Sequence, residues 1–402
     1  MPALSRGTIM RRSFDSLEPL YPTTEDLHRG ALRQIPRFVA DYVDGGSGSN
    51  AATARNRHAL DGVSLLPRYG RGVADPSPEI ALFGEAYAAP FGIAPMGLGA
   101  LVRPRLEERL ACAAQAARIP YVLSTAASAA IETIARLAPD VFWFQLFGLP
   151  RDDHRITLDL VRRAERAGAK VLVLTIDTPV QARRPQDLRN RLATAANGLH
   201  PGLLADILRR PRWVGEMLRH GRPGCEVMRP YLPPGAAAAE LTAFARAEIQ
   251  GGFTWDLVRR IRDCWPRALV VKGVLAGGDA IAAIGAGADG VIVSNHGGRT
   301  FDAAPASLDR LPEIASACAG RAVVMLDSGL RSGLDIARAV ASGAASGFLG
   351  RPFLHAVAAI GEDGGDYLIA LLQAELRHSM IQLGVSGVED LAAVERSLAH
   401  QA

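Results

Sequence analysis

The chain has 402 residues, 49% of them apolar and 6% aromatic, with 41 glycines and 25 prolines; this is the composition of an α/β protein rich in tight connections, long enough for one large domain or two ordinary ones. Its net charge is +4, with basic residues spread along the chain rather than clustered, so nothing supports a nucleic-acid surface. No apolar run reaches the roughly 18 residues that suggest a membrane-spanning helix, and the start MPALSRGTIMRRSFDSLEPLYP lacks the apolar core of about 7–15 residues found in a secretory signal.

Residues 1–90 read as a helical cap leading into a short hairpin. From residue 91 onward, short apolar runs alternate with helical patterns: FGIAPMG (91–97), YVLST (121–125), FWFQLF (142–147), VLVLTID (171–177), LVVKG (269–273), VIVSNHGG (291–298), AVVMLDSG (322–329) and SGFLGRP (346–352). Eight such units predict a (β/α)8 TIM barrel spanning 91–402 with C-terminal helices, because strands covered on both faces read as continuous apolar runs. A doubly wound open sheet is the competitor, but it has no reason to stop at eight. A segment at about 185–250 does not fit the alternation and reads as an insertion after the fourth barrel strand. A loop of that length is usually functional or disordered. Within it, LLADILRRPRWVGEMLRHG (203–221) mixes Leu, Ile and Trp with arginines, as segments that lie on a membrane surface do; a lid on the barrel mouth is the other reading. Cys112, Cys225, Cys264 and Cys318 are scattered, with no CxxC and no histidine spacing suited to zinc, and are expected to be reduced core thiols of a cytoplasmic protein.

Barrels place their chemistry at the C-terminal ends of the strands. Those ends gather Pro95, Met96 and Gly97; Ser124; Gln145; Thr175 and Asp177; Lys272; Ser294, Asn295, His296 and Arg299; Asp327; and Gly350 and Arg351. Each alone could be a cap, a turn residue or a surface charge, whereas their concentration at successive strand ends points to a site. The last two loops add Arg331 and Arg351 where barrels bind phosphate. Lysine is used only at 170 and 272 among 45 basic residues, so Lys272, inside an apolar strand, is expected to supply the compact point charge that arginine cannot.

The motifs SNHGGR, LTIDTP, VVKG, FQL, LDSGLRSG and GRP, in this order, resemble those of the FMN-dependent 2-hydroxy-acid dehydrogenase and oxidase family, from DYVDGG (41–46) to the C-terminal helices. That family includes glycolate oxidase, L-lactate dehydrogenase and mandelate dehydrogenase, and the wording is nearest to mandelate dehydrogenase. The resemblance implies FMN as cofactor and oxidation of an L-2-hydroxy acid to the 2-oxo acid. His296 would be the base that takes the hydroxyl proton, and Asp177 would steady the resulting imidazolium. Arg299 and Arg184 would grip the substrate carboxylate with help from Tyr42. Lys272 would face N1 and C2=O of the flavin, while Ser124, Gln145, Thr175 and Ser294 would bond the ring edge or ribityl chain. Pro95, Met96 and Gly97 would lie against the ring, Asp327 would hold ribityl hydroxyls, and Gly329, Arg331, Gly350 and Arg351 would bind the phosphate. A homotetramer, peripheral membrane contact and a quinone, protein or O2 as electron acceptor are also implied; Gly97, which lacks a methyl near N5, favours a quinone or protein.

The sequence departs from the family pattern at three places: Phe147 replaces the usual active-site tyrosine, Met96 replaces a threonine, and Thr300-Phe301 replaces Gln-Leu after Arg299. Ala126 also stands where glycolate oxidase has a tryptophan. Phe147, Met96 and Ala126 together predict a large, aromatic substrate side chain such as that of mandelate. An isomerase using reduced FMN, an enzyme acting on a peptidyl substrate and a non-catalytic flavin-binding relative are the alternatives.

Overall fold

The computed structural model describes residues 12–190, 201–249 and 251–398. Eight parallel strands close into one barrel: β4 (Phe91–Ile93), β5 (Tyr121–Ser124), β6 (Phe142–Phe147), β7 (Val171–Thr175), β8 (Ala268–Val274), β9 (Gly290–Val293), β10 (Val323–Asp327) and β11 (Ser346–Leu349), with β11 pairing back onto β4. Every apolar run of the sequence became a strand. VLVLT in β7 is buried at each position, because one face meets the barrel interior and the other the surrounding helices. The strands stop short of the polar residues after them, which form the loops at the mouth.

The opposite end of the barrel is closed by the hairpin β2 (Ile80–Leu82) and β3 (Glu85–Tyr87). The Trp143 indole at the start of β6 lies edge-on to Phe83, with ring centroids 5.8 Å apart, and donates to the Tyr87 hydroxyl at 3.0 Å. A large aromatic buried with its polar atom satisfied makes this end a packed floor rather than a channel.

Four helices precede the hairpin: α1 (Phe14–Leu17), α2 (Thr24–Gln34), α3 (Arg37–Asp44) and α4 (Ala51–Asp61). The Thr23 hydroxyl caps α2 by accepting the Asp26 N–H at 3.2 Å, satisfying one of the helix's open donors. Helix α2 packs on the helix Arg351–Ile360 that follows β11, and α4 packs on the turn 296–298. A buried reciprocal amide pair, Asn56 with Asn295 at 2.8 Å in both directions, fastens α4 to that turn.

Helices Gly364–Leu383 and Val388–Ala392 follow the barrel, and beyond them β12 (Arg396–Leu398) pairs antiparallel with β1 (Val63–Leu65) beside the cap, a partnership between distant segments that no local pattern encodes. One expectation needs correction. The four cysteines are free, but only Cys225 and Cys318 are buried; Cys264 is exposed and Cys112 half-buried, because Cys264 occupies the solvent side of the amphipathic helix Trp255–Cys264.

Part of the insertion, residues 191–200 and 250, lies outside the described residues. The rest includes the helices Pro201–Leu208 and Pro211–His220. They dock on the cap and on the loop after β4. The Trp213 indole donates to the Leu101 carbonyl at 3.0 Å and meets Phe38 edge-on, and Arg210 donates to the Ile35 carbonyl at 3.0 Å. Leu204, Leu208 and Leu218 are left exposed on this segment. No helix among the described residues is long and apolar enough to cross a membrane.

Candidate active site

His296 follows β9 and takes φ +58°, a left-handed conformation uncommon outside glycine. The turn is held from several sides. Its N–H donates to the Ser294 hydroxyl at 3.0 Å, and the Ser328 hydroxyl accepts the Gly297 N–H at 2.9 Å. The two glycines have a steric cause: a Cβ on Gly298 would lie 2.6 Å from the Thr53 backbone nitrogen, so only glycine lets α4 press against the turn. The imidazole is thereby pointed at β7, where its Nδ1 meets Asp177 Oδ1 at 2.9 Å. Burial opposes the charge on Asp177, yet His296 and Lys272 beside it hold its carboxyl below the ordinary value. Its second oxygen, Oδ2, is buried without a partner. Gly273 allows this carboxylate to sit so close to β8, because a Cβ there would fall 2.6 Å from that of Asp177.

Lys272 is fully enclosed by the barrel. Its ammonium lies 3.0 Å from Asp327 Oδ2 and donates to the Ser294 hydroxyl at 2.7 Å. Burial alone would favour the neutral amine, but Asp327 and Asp177 hold its pKa above the ordinary value. Across the mouth, Ser124 donates to the Gln145 amide oxygen and the Gln145 amide nitrogen to Thr175, each at 2.9 Å. This chain of side chains fixes which way the amide faces.

Arg184 and Arg299 both lie over the Tyr42 ring, 5.2 and 5.3 Å from its centroid, and the Tyr42 hydroxyl donates to the Gly97 carbonyl at 2.9 Å. Arg184 also pairs with Asp187 at 2.6 Å. Burial and the neighbouring Arg184 push Arg299 down to about 10. One nitrogen of Arg299 donates to the carbonyls of Tyr42, Val43 and Gly45 at 2.9–3.0 Å, so it also closes the C-terminal end of α3. That anchoring was not visible in the sequence, since it joins residues more than 250 positions apart.

At the ends of β10 and β11, Arg331 is pushed down to about 10 by burial and Arg57, and Arg351 is held well below the ordinary value by burial, Arg299 and Arg331. Arg351 donates to the carbonyls of Val43 and Gly297, while its Nη2 is buried with no partner. Gly329 and Gly350 flank the two arginines, and Gly350 precedes the first turn of the helix Arg351–Ile360. Half-buried cations that oppose one another, beside a helix N-terminus and with a buried free donor, suit an anion such as the phosphate of FMN. Buried Lys272 and the polar strand ends suit its ring and ribityl chain.

Phe147 stacks near His296, with centroids 6.3 Å apart and planes 17° from parallel. Pro95, Met96 and Gly97 are half-buried along the loop after β4, and Ala126 faces Gly97: a Cβ on Gly97 would be 3.1 Å from that of Ala126. The structure thus brings the predicted residues to one mouth. Sequence reasoning missed Asp187, Ser328, the Asn56–Asn295 pair and Glu107. Glu107 is a buried carboxylate on the helix after β4 whose Oε1 accepts the Gly99 and Ser128 N–H groups at 3.0 and 2.8 Å. A carboxylate inside a helical pattern signals nothing until the fold buries it.

A closed barrel with a buried lysine, a histidine–aspartate pair and an arginine-lined anion pocket at its mouth is the arrangement of a flavin-binding oxidoreductase. Residues 31–398 match the FMN-dependent dehydrogenase family, and the chain belongs to it. It is 38% identical to 4-hydroxymandelate oxidase of Amycolatopsis orientalis, covering 94% of this chain and 97% of the relative, and 36% identical to an L-lactate dehydrogenase of Caulobacter sp. (strain K31) with the same coverage. Among solved structures, the monotopic membrane protein (S)-mandelate dehydrogenase superposes with a TM-score of 0.87 at 33% identity, over 93% of this chain and 98% of that one. A mandelate oxidase superposes at 0.79 and 36% identity, over 94% and 99%. The chain is an FMN-dependent enzyme that oxidises 2-hydroxy acids.

Proposed function

We propose that the substrate is an L-2-hydroxy acid with a large, aromatic side chain, as in mandelate. The His296–Asp177 contact of 2.9 Å carries the catalytic reading. With Nδ1 committed to Asp177, Nε2 keeps the free lone pair that accepts the substrate's hydroxyl proton, and Asp177 stabilises the imidazolium that results. Arg184 and Arg299, converging on Tyr42, orient the substrate carboxylate. Bound FMN supplies the two-electron acceptor for the hydrogen leaving Cα. Lys272 presents a fixed positive charge to the pyrimidine end of the ring. Gln145, Ser124, Thr175 and Ser294 bond its edge and ribityl chain, Asp327 the ribityl hydroxyls, and Gly329, Arg331, Gly350 and Arg351 the phosphate. Phe147, Met96 and Ala126 form an apolar wall that favours the aromatic side chain. We further propose electron delivery to a quinone or protein, peripheral membrane contact through the exposed leucines of the insertion, and assembly as a tetramer.

Anaerobic reduction of the flavin, followed by its absorbance against a panel of aliphatic, aromatic and peptidyl 2-hydroxy acids, tests this. Mandelate should bleach it fastest. Faster bleaching by lactate would overturn the substrate assignment, and no bleaching by any hydroxy acid would favour an isomerase.

A further inference from the structure

Outside the mouth, one cluster has no part in the chemistry above. His28 of α2, Asp44 at the end of α3 and His355 of the helix Arg351–Ile360 converge from three separate elements. His28 Nε2 lies 2.9 Å from Asp44 Oδ2, and His355 Nε2 lies 2.8 Å from Asp44 Oδ1. The two imidazole centroids are 4.6 Å apart, and one ligand atom from each of the three residues lies within 4.8 Å of the others.

We infer that His28, Asp44 and His355 form a site for a divalent transition cation such as Zn2+, which joins the N-terminal cap to the last helix of the barrel. Two imidazole nitrogens and one carboxylate oxygen are the ligand types that borderline-soft divalent ions take, with water completing the shell. Bond lengths of about 2.0–2.2 Å at a tetrahedral angle place ligand atoms roughly 3.3–3.6 Å apart. A cation would draw in ligand atoms that now lie within 4.8 Å of one another, while the histidine–carboxylate contacts of 2.9 and 2.8 Å widen by roughly 0.4–0.8 Å. Asp44 is on the solvent side of the cluster, its side chain 36% exposed, and can make that shift. The same exposure gives a cation its way in. His28 Nδ1 faces Glu25 at 3.8 Å, the position in which a second carboxylate orients a metal-bound imidazole.

Local charge is compatible with a cation. Arg331 and Arg351 act on Asp44 from the barrel side, with Glu25 also acting on Arg331. A bound phosphate of about −2 offsets the two arginines. Asp44 and Glu25 then leave room for two positive charges. This balance rests on the phosphate position proposed above.

The test uses the flavin-loaded enzyme after dialysis against a chelator, with the flavin-to-protein ratio read from its visible spectrum, so that failure of the phosphate assignment shows separately as flavin loss. Calorimetric titration with Zn2+ should reveal one saturable site per chain and a raised Tm. Titration with Cu2+ should give an EPR signal split by two nitrogens. His28→Ala, a half-exposed position whose loss should leave the fold intact, should weaken Zn2+ binding by at least about tenfold, and Glu25→Gln should weaken it less. Absence of saturable binding to flavin-loaded enzyme, or binding that His28→Ala leaves unchanged, would show that the triad is only a hydrogen-bonded strut and overturn the inference.

Discussion

Asp177 is held within 2.9 Å of His296 by two unrelated strand ends, and each lies where the other needs it. The carboxylate is kept ionised by the imidazole and by Lys272, and the imidazole keeps one nitrogen free because the carboxylate takes the other. Removing either partner should therefore stop chemistry without emptying the flavin site. His296→Ala is expected to lower kcat by about 10^2–10^4-fold, with Asp177→Asn falling in the same range. Stopped-flow flavin reduction measures both, and a loss below tenfold in His296→Ala would remove it from the base's role.

Lys272 and Asp327 are a fully desolvated pair, with side chains 3% and 7% exposed. Deleting one charge strands the other. Lys272→Met should destabilise the protein by about 3–5 kcal/mol and lower the flavin-to-protein ratio after purification. Adding Asp327→Asn should recover part of the Tm but not the flavin affinity. A Tm equal in the single and double variants would show that the pair is not coupled.

In the proposed substrate pocket, Ala126 is the residue that leaves room for a large side chain. Ala126→Trp should depress kcat/KM for mandelate far more than for lactate, since an apolar pocket discriminates by about 1–3 kcal/mol per methylene-sized difference. Equal losses on both substrates would move the side-chain pocket elsewhere.

Glu107 gives a pH test. Burial raises its carboxyl to about 7, well above the ordinary glutamate value of 4.5 that holds in the unfolded chain. The protonated form is thus favoured in the folded state. Stability from this group is complete below about pH 4.5, declines as pH rises towards 7 and is lost above it, a change on the order of 3 kcal/mol. Denaturant titrations at pH 5 and pH 8 should show that Glu107→Gln narrows the stability difference of the wild type. An unchanged difference would mean the carboxyl titrates normally.

Leu204, Leu208 and Leu218 stand exposed on a segment whose other side is tied to Leu101, Ile35 and Phe38. Replacing all three by serine should reduce co-sedimentation with anionic vesicles at low salt while leaving flavin content intact. Full-length protein that ignores such vesicles would end the membrane proposal.

The barrel was legible because each strand is buried on both faces and so carries an uninterrupted apolar run, and the mouth residues were legible because barrel strands end together. Arg299 illustrates the boundary. Its position after β9 was readable, but its bonds to the carbonyls of Tyr42, Val43 and Gly45 at the end of α3 depend on the cap folding over the mouth. The Asn56–Asn295 pair and the β1–β12 ribbon were hidden for the same reason: their partners are hundreds of residues apart, and neither side advertises the other. Cys264 was misjudged because a small, apolar side chain at the end of an amphipathic helix is equally at home on either face.

The closure of β11 onto β4, and the ribbon of β12 with β1, mean that the first and last parts of the chain complete one another. A nascent chain that has not yet emerged as far as residue 346 has an open sheet with an unpaired edge at β4 and lacks Arg351. Contacts of such long sequence separation form slowly. With Arg351 holding the phosphate as proposed, cofactor capture is expected late in biogenesis. Until then the apolar edges of β4 and β10 are exposed to aggregation, so recombinant yield should depend more on slowed synthesis and chaperone supply than on added riboflavin.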